Sequence, residues 1–385
     1  MGSDRRDLYN RVGPEGKYVS PISAKPAPPV GYGPSVGLAD GDDRLGCSGA
    51  LTDEISSVAN VSQTMVWRDL GGSWATNLLA VGASGGCGTV FRVHRLSTTA
   101  ARLRAEQETR RVLARAGIPT VQPLAVFDGD EIGQLRTGHL TEAERFVVSD
   151  GQMKTPDLLI RGFGVLGAIH RCLRDGELPA AAHTVTHANH VTAQQALAAT
   201  TAGAQRIRSW GEPALTRYAD AVVEHIGRVS TAEEHLEQRR QVVHGDFWDN
   251  NVLFTGSRVA AVLDFGFMAR RARVDDLALP IWFYLLEPGH GPPNLIDAEI
   301  VAKMLHAYDE AGEPLSRQER LAVPLAIARQ PAWSVGHWVR QLDEQDAIDH
   351  AREAARELPV AQAILRDLSD WQRTLVTQHR PRRGP

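Results

Sequence analysis

Cysteine, excess positive charge and long apolar runs are all scarce in this chain, and each scarcity removes a class of function. Only Cys47, Cys87 and Cys172 occur among 385 residues, far apart, with no CxxC pair and no histidine at metal-ligand spacing. Neither a disulfide framework nor a structural zinc site is indicated, and reduced thiols in a cytoplasmic protein are expected. The formal net charge of -4 offers no basic field for wrapping nucleic acid. No apolar run approaches the ~18 residues of a membrane-spanning helix, and the N-terminus lacks the basic, apolar and small-residue order of a signal peptide. Neither nucleic acid nor membrane is an expected partner. What remains is an ordinary globular composition, 43% hydrophobic and 23% charged, in a chain long enough to bury a large core in two lobes or two domains.

The pattern divides the chain into four stretches. Residues 1–60 hold "GPEGKYVSPISAKPAPPVGYGPSVGLADGDD", rich in Pro and Gly without a period, and are expected to be a disordered arm with at most one short ordered patch. Such segments also serve as ligands for partner domains. Residues 61–149 predict a small antiparallel sheet with one helix. "LLAVGASGGCGTVFRVHR" (78–95) reads as two strands around a Gly-rich turn, "VQPLAVFD" and "GHLTEAERFVV" as two more, and 99–116 as a helix ended by Gly117 and Pro119. From 150 to 376 the chain is mainly helical. Thr155-Pro156-Asp157 is a strong helix start, and Leu158, Leu159, Phe163, Leu166, Ile169 and Leu173 follow at helical spacing. Further helices fit 191–204, 213–240, 297–311, 316–329, 332–344 and 347–373. Residues 377–385 are a solvated basic tail.

The one clear β segment of the second half is "VVHGDFWDNNVLFTGSRVAAVLDFG", residues 242–266. "VLF" and "VAAVL" are short strands around Thr255-Gly256-Ser257-Arg258, a turn of hairpin length. Asn251 and Asp264 flank that hairpin at one end, where an amide oxygen and a carboxylate can share a hard cation. Mg²⁺ favours one or two such protein oxygens, with phosphates and water completing its shell. Asp246 stands five residues before Asn251 on a loop introduced by His244 and Gly245. If that loop folds back, its carboxylate faces the same metal and can accept a hydroxyl proton or orient a nucleophile. His244 is expected to tie the loop backbone to the core through its ring nitrogens rather than act in the chemistry. Two other readings stand beside this one. Asp, Asn and Gly also make plain turns, and Gly-Asp with Asp-Asn occurs in dinuclear metal hydrolases, although here Val252, Leu253 and Phe254 follow instead of further ligands.

These residues carry a resemblance. "HGDFWDNN" and "LDFG" are similar to the catalytic loop and the metal-binding segment of the aminoglycoside phosphotransferase family, and the likeness extends over about residues 65–350. It implies an α+β, bilobal protein-kinase-like fold, with a sheet-rich N-lobe and a larger helical C-lobe. It also implies that Asp246 is the catalytic base, that Asn251 and Asp264 hold Mg²⁺ on the phosphates of ATP, with GTP left open, and that the acceptor is a small-molecule hydroxyl.

Asp276, in "RVDDLALPIWF", resembles the family's later Asp-Leu-Ala segment and is expected to cap a helix, with Asp275 competing for that place. "LGGSWATNLLAV" (70–81) resembles the family's glycine turn over the nucleotide, in which Gly71 and Gly72 let backbone approach phosphate and Ser73 adds a donor. A pair of glycines also makes an ordinary hairpin turn. The phosphate-binding Lys of the third strand falls on Arg92, with Glu106 of the following helix as its implied ion-pair partner. Arg and Lys are not equivalent there, and Glu106 with Arg110, like Glu108 with Arg111, also fits pairing along a helix surface. Chain order places the adenine against backbone around Phe146, Val147 and Val148.

Three functions are weighed. The first is phosphoryl transfer to an antibiotic, amino alcohol, sugar or biosynthetic intermediate. The second keeps the chemistry and changes the acceptor to Ser or Thr of a precursor peptide. The third is a nucleotide-binding scaffold without turnover, supported only by Arg92 in place of Lys. "PAWSVGHWVRQLDEQD" (331–346) either lines the acceptor pocket or is an amphipathic helix packed on the core.

Overall fold

The structure, a computed structural model, describes residues 45–61, 64–71, 75–82, 88–184 and 192–377. The contacts divide the chain into two compact units. One takes Leu253–Leu263 and Leu178–Ala181 together with the chain up to Gln152, and the other takes Met153–Glu177, Ala182–Val252 and the chain from Asp264 onward.

In the first unit, β1 (Met65–Gly71), β2 (Thr76–Gly82), β3 (Thr89–Val93), β4 (Ile132–Gln134) and β5 (Leu140–Arg145) form an antiparallel sheet in the order β1-β2-β3-β5-β4. Alternation gives this sheet two unlike faces. One is apolar: Leu78, Ala80, Phe91, Val93 and Ala143 pack with Leu51 and Ile55 of helix α1 (Gly49–Val58). This helix lies inside the stretch expected to be an irregular arm. Its cap, Ser48, accepts from the Leu51 amide, and two apolar side chains one turn apart secure it to the sheet. The other face begins apolar, with Leu70, Leu79, Val90 and Phe146 clustered, and becomes charged at Arg92 and Glu142. Helix α2 (Ala100–Arg115), capped by Thr99, lies over the charged part and buries Glu106, Gln107 and Arg110.

The strand expected over "VQPLAVFD" does not form. Thr120 and Pro123 make only isolated bridges, to Val262 and Glu144, because two prolines at 119 and 123 remove ladder donors. A short third strand, β6 (Gly151–Gln152), pairs with β8 (Val252–Thr255), which neighbours β9 (Arg258–Val262).

The second unit is built on helices. Helix α3 (Pro156–Asp175) starts at Thr155, whose hydroxyl accepts from Leu158 N, with Pro156 in the first turn. It crosses α7 (Leu295–Ala311) closely, since a Cβ on Gly167 would meet the Tyr308 carbonyl. Helices α4 (Ala193–Ser209), α5 (Pro213–Glu233), α6 (Arg273–Leu285), α8 (Arg317–Ala328), α9 (Glu344–Arg366) and α10 (Leu368–Thr377) complete it, with a two-stranded ladder of β7 (Arg240–Val243) and β10 (Ala269–Ala272).

The helix expected over 332–344 is interrupted. Pro331–Trp333 leads into a π turn at Ser334–Trp338, then Val339–Gln341, and α9 restarts at an Asp343 cap. Close approach accounts for the turn: Gly336 lies against Ala199 and Thr200 of α4, and Gly203 of α4 lies under the Val335 carbonyl. Trp333 and His337 stack at 4.1 Å on this turn. The helix expected over 347–373 also breaks in two, at Asp367. No helix among the described residues is long and apolar enough to cross a membrane.

Candidate active site

β7 ends at Val243 and the chain enters the loop His244–Asn251 before β8. Gly245 makes the turn possible. Its φ is +83°, and a Cβ there would collide with the Phe267 carbonyl, so two independent restrictions admit only glycine. His244 is fully buried, packs on Phe265 at 4.6 Å and accepts the Asp246 amide at Nδ1 over 3.1 Å. That bond requires Nδ1 to be unprotonated. The imidazole thus holds loop backbone against the core.

Asp276 does not cap a helix. Helix α6 starts after Ala272 with no side-chain cap, and Asp276 lies within its first turn. Its carboxylate instead collects the loop: Oδ2 accepts the His244 amide at 2.8 Å and Oδ1 the Gly245 amide at 2.7 Å. His170 of α3 lies 3.0 Å from Oδ2 through Nε2, and its Nδ1 is 2.8 Å from the Tyr308 hydroxyl. A buried chain thus runs from α7 through α3 and α6 to the loop. His170 and Tyr308 were not readable as site residues, because nothing local in their helices distinguishes them from satisfied core polar groups. Asp275 turns to Arg329, which also bonds Glu233.

Asp246 and Asn251 are in direct contact. Asn251 Nδ2 donates to both the backbone oxygen and the Oδ2 of Asp246, each at 2.8 Å. Burial pushes the Asp246 carboxyl up to about 8, Asp264 adds to the rise, and the Asn251 bond opposes it. Asp264 is therefore close enough to be felt electrostatically. It holds φ +56°, and its Oδ1 accepts the Gly266 amide at 3.2 Å. A non-glycine residue in the left-handed region is uncommon, and such positions cluster at functional sites. Because the Asn251 amide nitrogen is occupied by Asp246, its oxygen is left for another partner. Two oxygen donors beside a second carboxylate are a donor set that suits a hard divalent cation, which relieves the repulsion between the acids.

Trp248 stacks on Phe283 of α6 at 4.5 Å. Asp249 is pushed up to about 6 by burial against the opposing pull of Lys154, which lies 3.5 Å from it and 3.4 Å from Glu287.

The remaining candidates lie in the first unit. Gly71 has φ +78° at a bulge in β1, its amide bonded to Asp69 Oδ1, and Asn77 Nδ2 donates to its carbonyl at 2.9 Å. Gly72 and Ser73 lie outside the described residues. Phe146 joins the apolar end of the sheet face with Val90, Val147 packs with Val121 and Leu263, and Val148 is exposed. Arg92 stands in β3 directly opposite Glu142 of β5. Glu106 is buried and ion-paired with Arg102 at 2.8 Å, so it is not part of a helix surface. Arg110 reaches instead to Glu142 and Glu144.

A family model described as the phosphotransferase enzyme family, APH, matches residues 67–314. No curated protein matches the chain significantly. Among solved structures, a microcompartment-associated aminopropanol kinase is similar with TM-score 0.60 at 17% identity, over 85% of this chain and 100% of that one. An amicoumacin kinase in complex with AMP-PNP, Ca²⁺ and Ami has TM-score 0.58 at 12% identity, over 80% and 92%. An aminoglycoside phosphotransferase from Alicyclobacillus acidocaldarius has TM-score 0.53 at 14% identity, over 86% and 97%. At these identities the likeness concerns the fold.

Proposed function

Because the chain belongs to the phosphotransferase enzyme family, we propose that it moves the γ-phosphoryl group of ATP to a small-molecule hydroxyl, with Asp246 as base and with Asn251 and Asp264 holding Mg²⁺. The observation that carries this reading is the pair of hydrogen bonds that Asn251 Nδ2 donates to the backbone oxygen and the carboxylate of Asp246. It closes a five-residue loop so that the Asp246 carboxylate and the Asn251 amide share one fixed geometry, within the electrostatic reach of Asp264. The three relatives above are named as kinases or a phosphotransferase, one of them solved with a nucleotide analogue and a divalent cation.

Each residue then has a task. Asp246 accepts or orients the proton of the attacking hydroxyl, leaving the oxygen to bond to phosphorus as the bond to the leaving diphosphate breaks. His244 and Asp276 keep that carboxylate in place through backbone bonds, so little reorganisation accompanies the reaction. Asn251 and Asp264 would hold magnesium, which would supply neutralisation of the charge on the transferring phosphoryl group and the leaving oxygen. On the first unit, the sheet face that passes from apolar (Leu79, Val90, Phe146) to cationic (Arg92) offers the sequence of surfaces that a base and its phosphates require.

The test is ADP release with Mg²⁺ across a panel of hydroxyl-bearing acceptors. Asp246→Ala is expected to lower turnover on the order of 10² or more. An activity that survives this substitution would remove Asp246 as the base, and tight ATP binding with no turnover on any small molecule or peptide would favour a scaffold.

A further inference from the structure

The cation of β3 is an arginine, and the carboxylate that faces it is not the one on the helix. Lysines occur only at 17, 25, 154 and 303, so no lysine stands in the five-stranded sheet. Arg92 pairs in register with Glu142 across the β3–β5 ladder, and directly opposed residues in an antiparallel pair project from the same face with Cβ atoms ~5 Å apart. Glu142 is 2% exposed. Its Oε2 accepts from Arg110 Nη2 and from Gln107 Nε2 at 3.3 Å, and its Oε1 lies 3.4 Å from His94 Nε2. Arg110, on α2, forks to Glu144 with its other terminal nitrogen at 3.0 Å. Glu106, one turn earlier on α2, is directed to Arg102, whose own Nη1 is fixed by the Ala181 carbonyl at 2.8 Å.

We propose that Glu142 is the positioning residue for Arg92: an Arg92–Glu142–Arg110 chain ties the phosphate-binding cation of β3 to helix α2, in place of a direct pair between Arg92 and Glu106. The inference rests on Arg92 being the nucleotide-phosphate contact in the function proposed above. Three features support it. Glu142 is held at Oε2 by Arg110 and Gln107, with the His94 ring near Oε1, so it can hold a partner with little rearrangement. An arginine side chain loses rotamer entropy when fixed, a cost which a rigid opposing carboxylate lowers in advance of nucleotide binding. Strand register, unlike a helix rotation, fixes the pairing of 92 with 142 without depending on the approach of α2. The fields of Arg110, His94 and Arg92 together overcome burial and hold the Glu142 carboxyl far below the usual range, as a permanently ionised anchor requires.

The test compares binding of Mg–AMP-PNP and of adenosine to the full chain by calorimetry. Glu142→Gln is expected to weaken Mg–AMP-PNP on the order of tenfold, the effect of one charge-assisted contact, while leaving adenosine within twofold. Loss of general structure would weaken both. In an Arg92→Gln background the Glu142 substitution is expected to add less than twofold. Glu106→Gln is expected to cost several-fold less than Glu142→Gln, and the reverse order, or tighter nucleotide binding by Glu142→Gln, overturns the proposal. Arg110→Lys keeps the charge on α2 but gives up the fork to two carboxylates. Should Glu142→Gln fail to show a cooperative melt, an unchanged Mg–AMP-PNP affinity in Arg110→Lys overturns the proposal, and a several-fold loss confined to the triphosphate supports it. Failure of the functional reading is separate: wild-type protein would then show no phosphate-dependent gain over adenosine at all.

Discussion

Replacing Asp276 by asparagine is a near-isosteric change at a fully buried position, and the structure sets its cost. The carboxylate accepts the His244 amide at 2.8 Å, the Gly245 amide at 2.7 Å, and lies 3.0 Å from His170 Nε2. Asparagine offers one acceptor oxygen and one donor nitrogen, so whichever way it turns, one loop amide faces a donor. A buried amide left without an acceptor costs about 1–3 kcal/mol, and the bonds that remain lose their charge assistance, about 1 kcal/mol each. The sum is about 3–5 kcal/mol. For a unit of ~200 residues, each kcal/mol lowers Tm by about 2–4 °C, which gives a fall on the order of 10 °C. The loop that carries Asp246 loosens at the same time, and an ångström of misplacement costs on the order of 10² in rate. Scanning calorimetry and ADP release measure the two effects. A helix cap, by contrast, is worth about 1 kcal/mol and has no claim on turnover. A Tm within ~2 °C of wild type together with kcat within threefold would refute the assignment of Asp276 as the anchor of the loop, the magnitudes being those expected of a cap alone.

Gly245→Ala forces a side chain into φ +83° and against the Phe267 carbonyl, and is expected to cost about 2 kcal/mol or more, read from the urea midpoint. Glu319 accepts Arg273 at 2.6 and 2.7 Å. Burial raises its carboxyl, but the Arg273 and Ser316 bonds outweigh burial and leave it below its ordinary value. Its folded pKa lies under its unfolded one, so its stabilisation is present at neutral pH and is lost as pH falls through the folded pKa. Glu319→Gln is expected to be less stable at pH 7 by about 3 kcal/mol and to show a flatter decline between about pH 5 and 3; an unchanged acid limb in urea titrations would contradict this. Chelation by EDTA is expected to abolish ADP release, with recovery on excess Mg²⁺, and Asp264→Ala is expected to shift the Mg²⁺ concentration needed for half activity upward.

Local pattern carried much of this protein. The Thr155-Pro156 helix start, the α2 span and the loop–strand–turn–strand of 242–266 were legible because capping, helical period and hairpin length are short-range properties. The direct contact of Asp246 with Asn251, five residues on, came only with the fold of the loop. The misreadings have both local and long-range causes. "VQPLAVFD" has strand composition, but Pro123 within it removes a ladder donor and leaves isolated bridges, a local signal. The helix over 332–344 has the right period, yet Gly336 and Gly203 bring α4 so close that the backbone widens into a π turn. Helix α1 is one short ordered patch within residues 1–60, which the reading of that stretch allowed without placing, because its ten residues are secured by a sheet face rather than by their own propensity.

The sequence by itself carried the motifs by which the chain resembles its family, because the residues from Asp246 to Asn251 and Asp264 lie on one loop and one hairpin, a local arrangement. Only the tertiary structure decided what holds them. Asp276 is drawn to the loop amides, and His170 and Tyr308 line up behind it, across separations of 32, 106 and 138 residues. Likewise the family resemblance pairs Arg92 with Glu106, whereas strand register sets Glu142 opposite Arg92 and Glu106 is ion-paired with Arg102. Spacing along a chain fixes which groups share a turn or a hairpin end; which carboxylate faces which cation is decided by packing, since opposite charges pair with whatever the fold brings within reach.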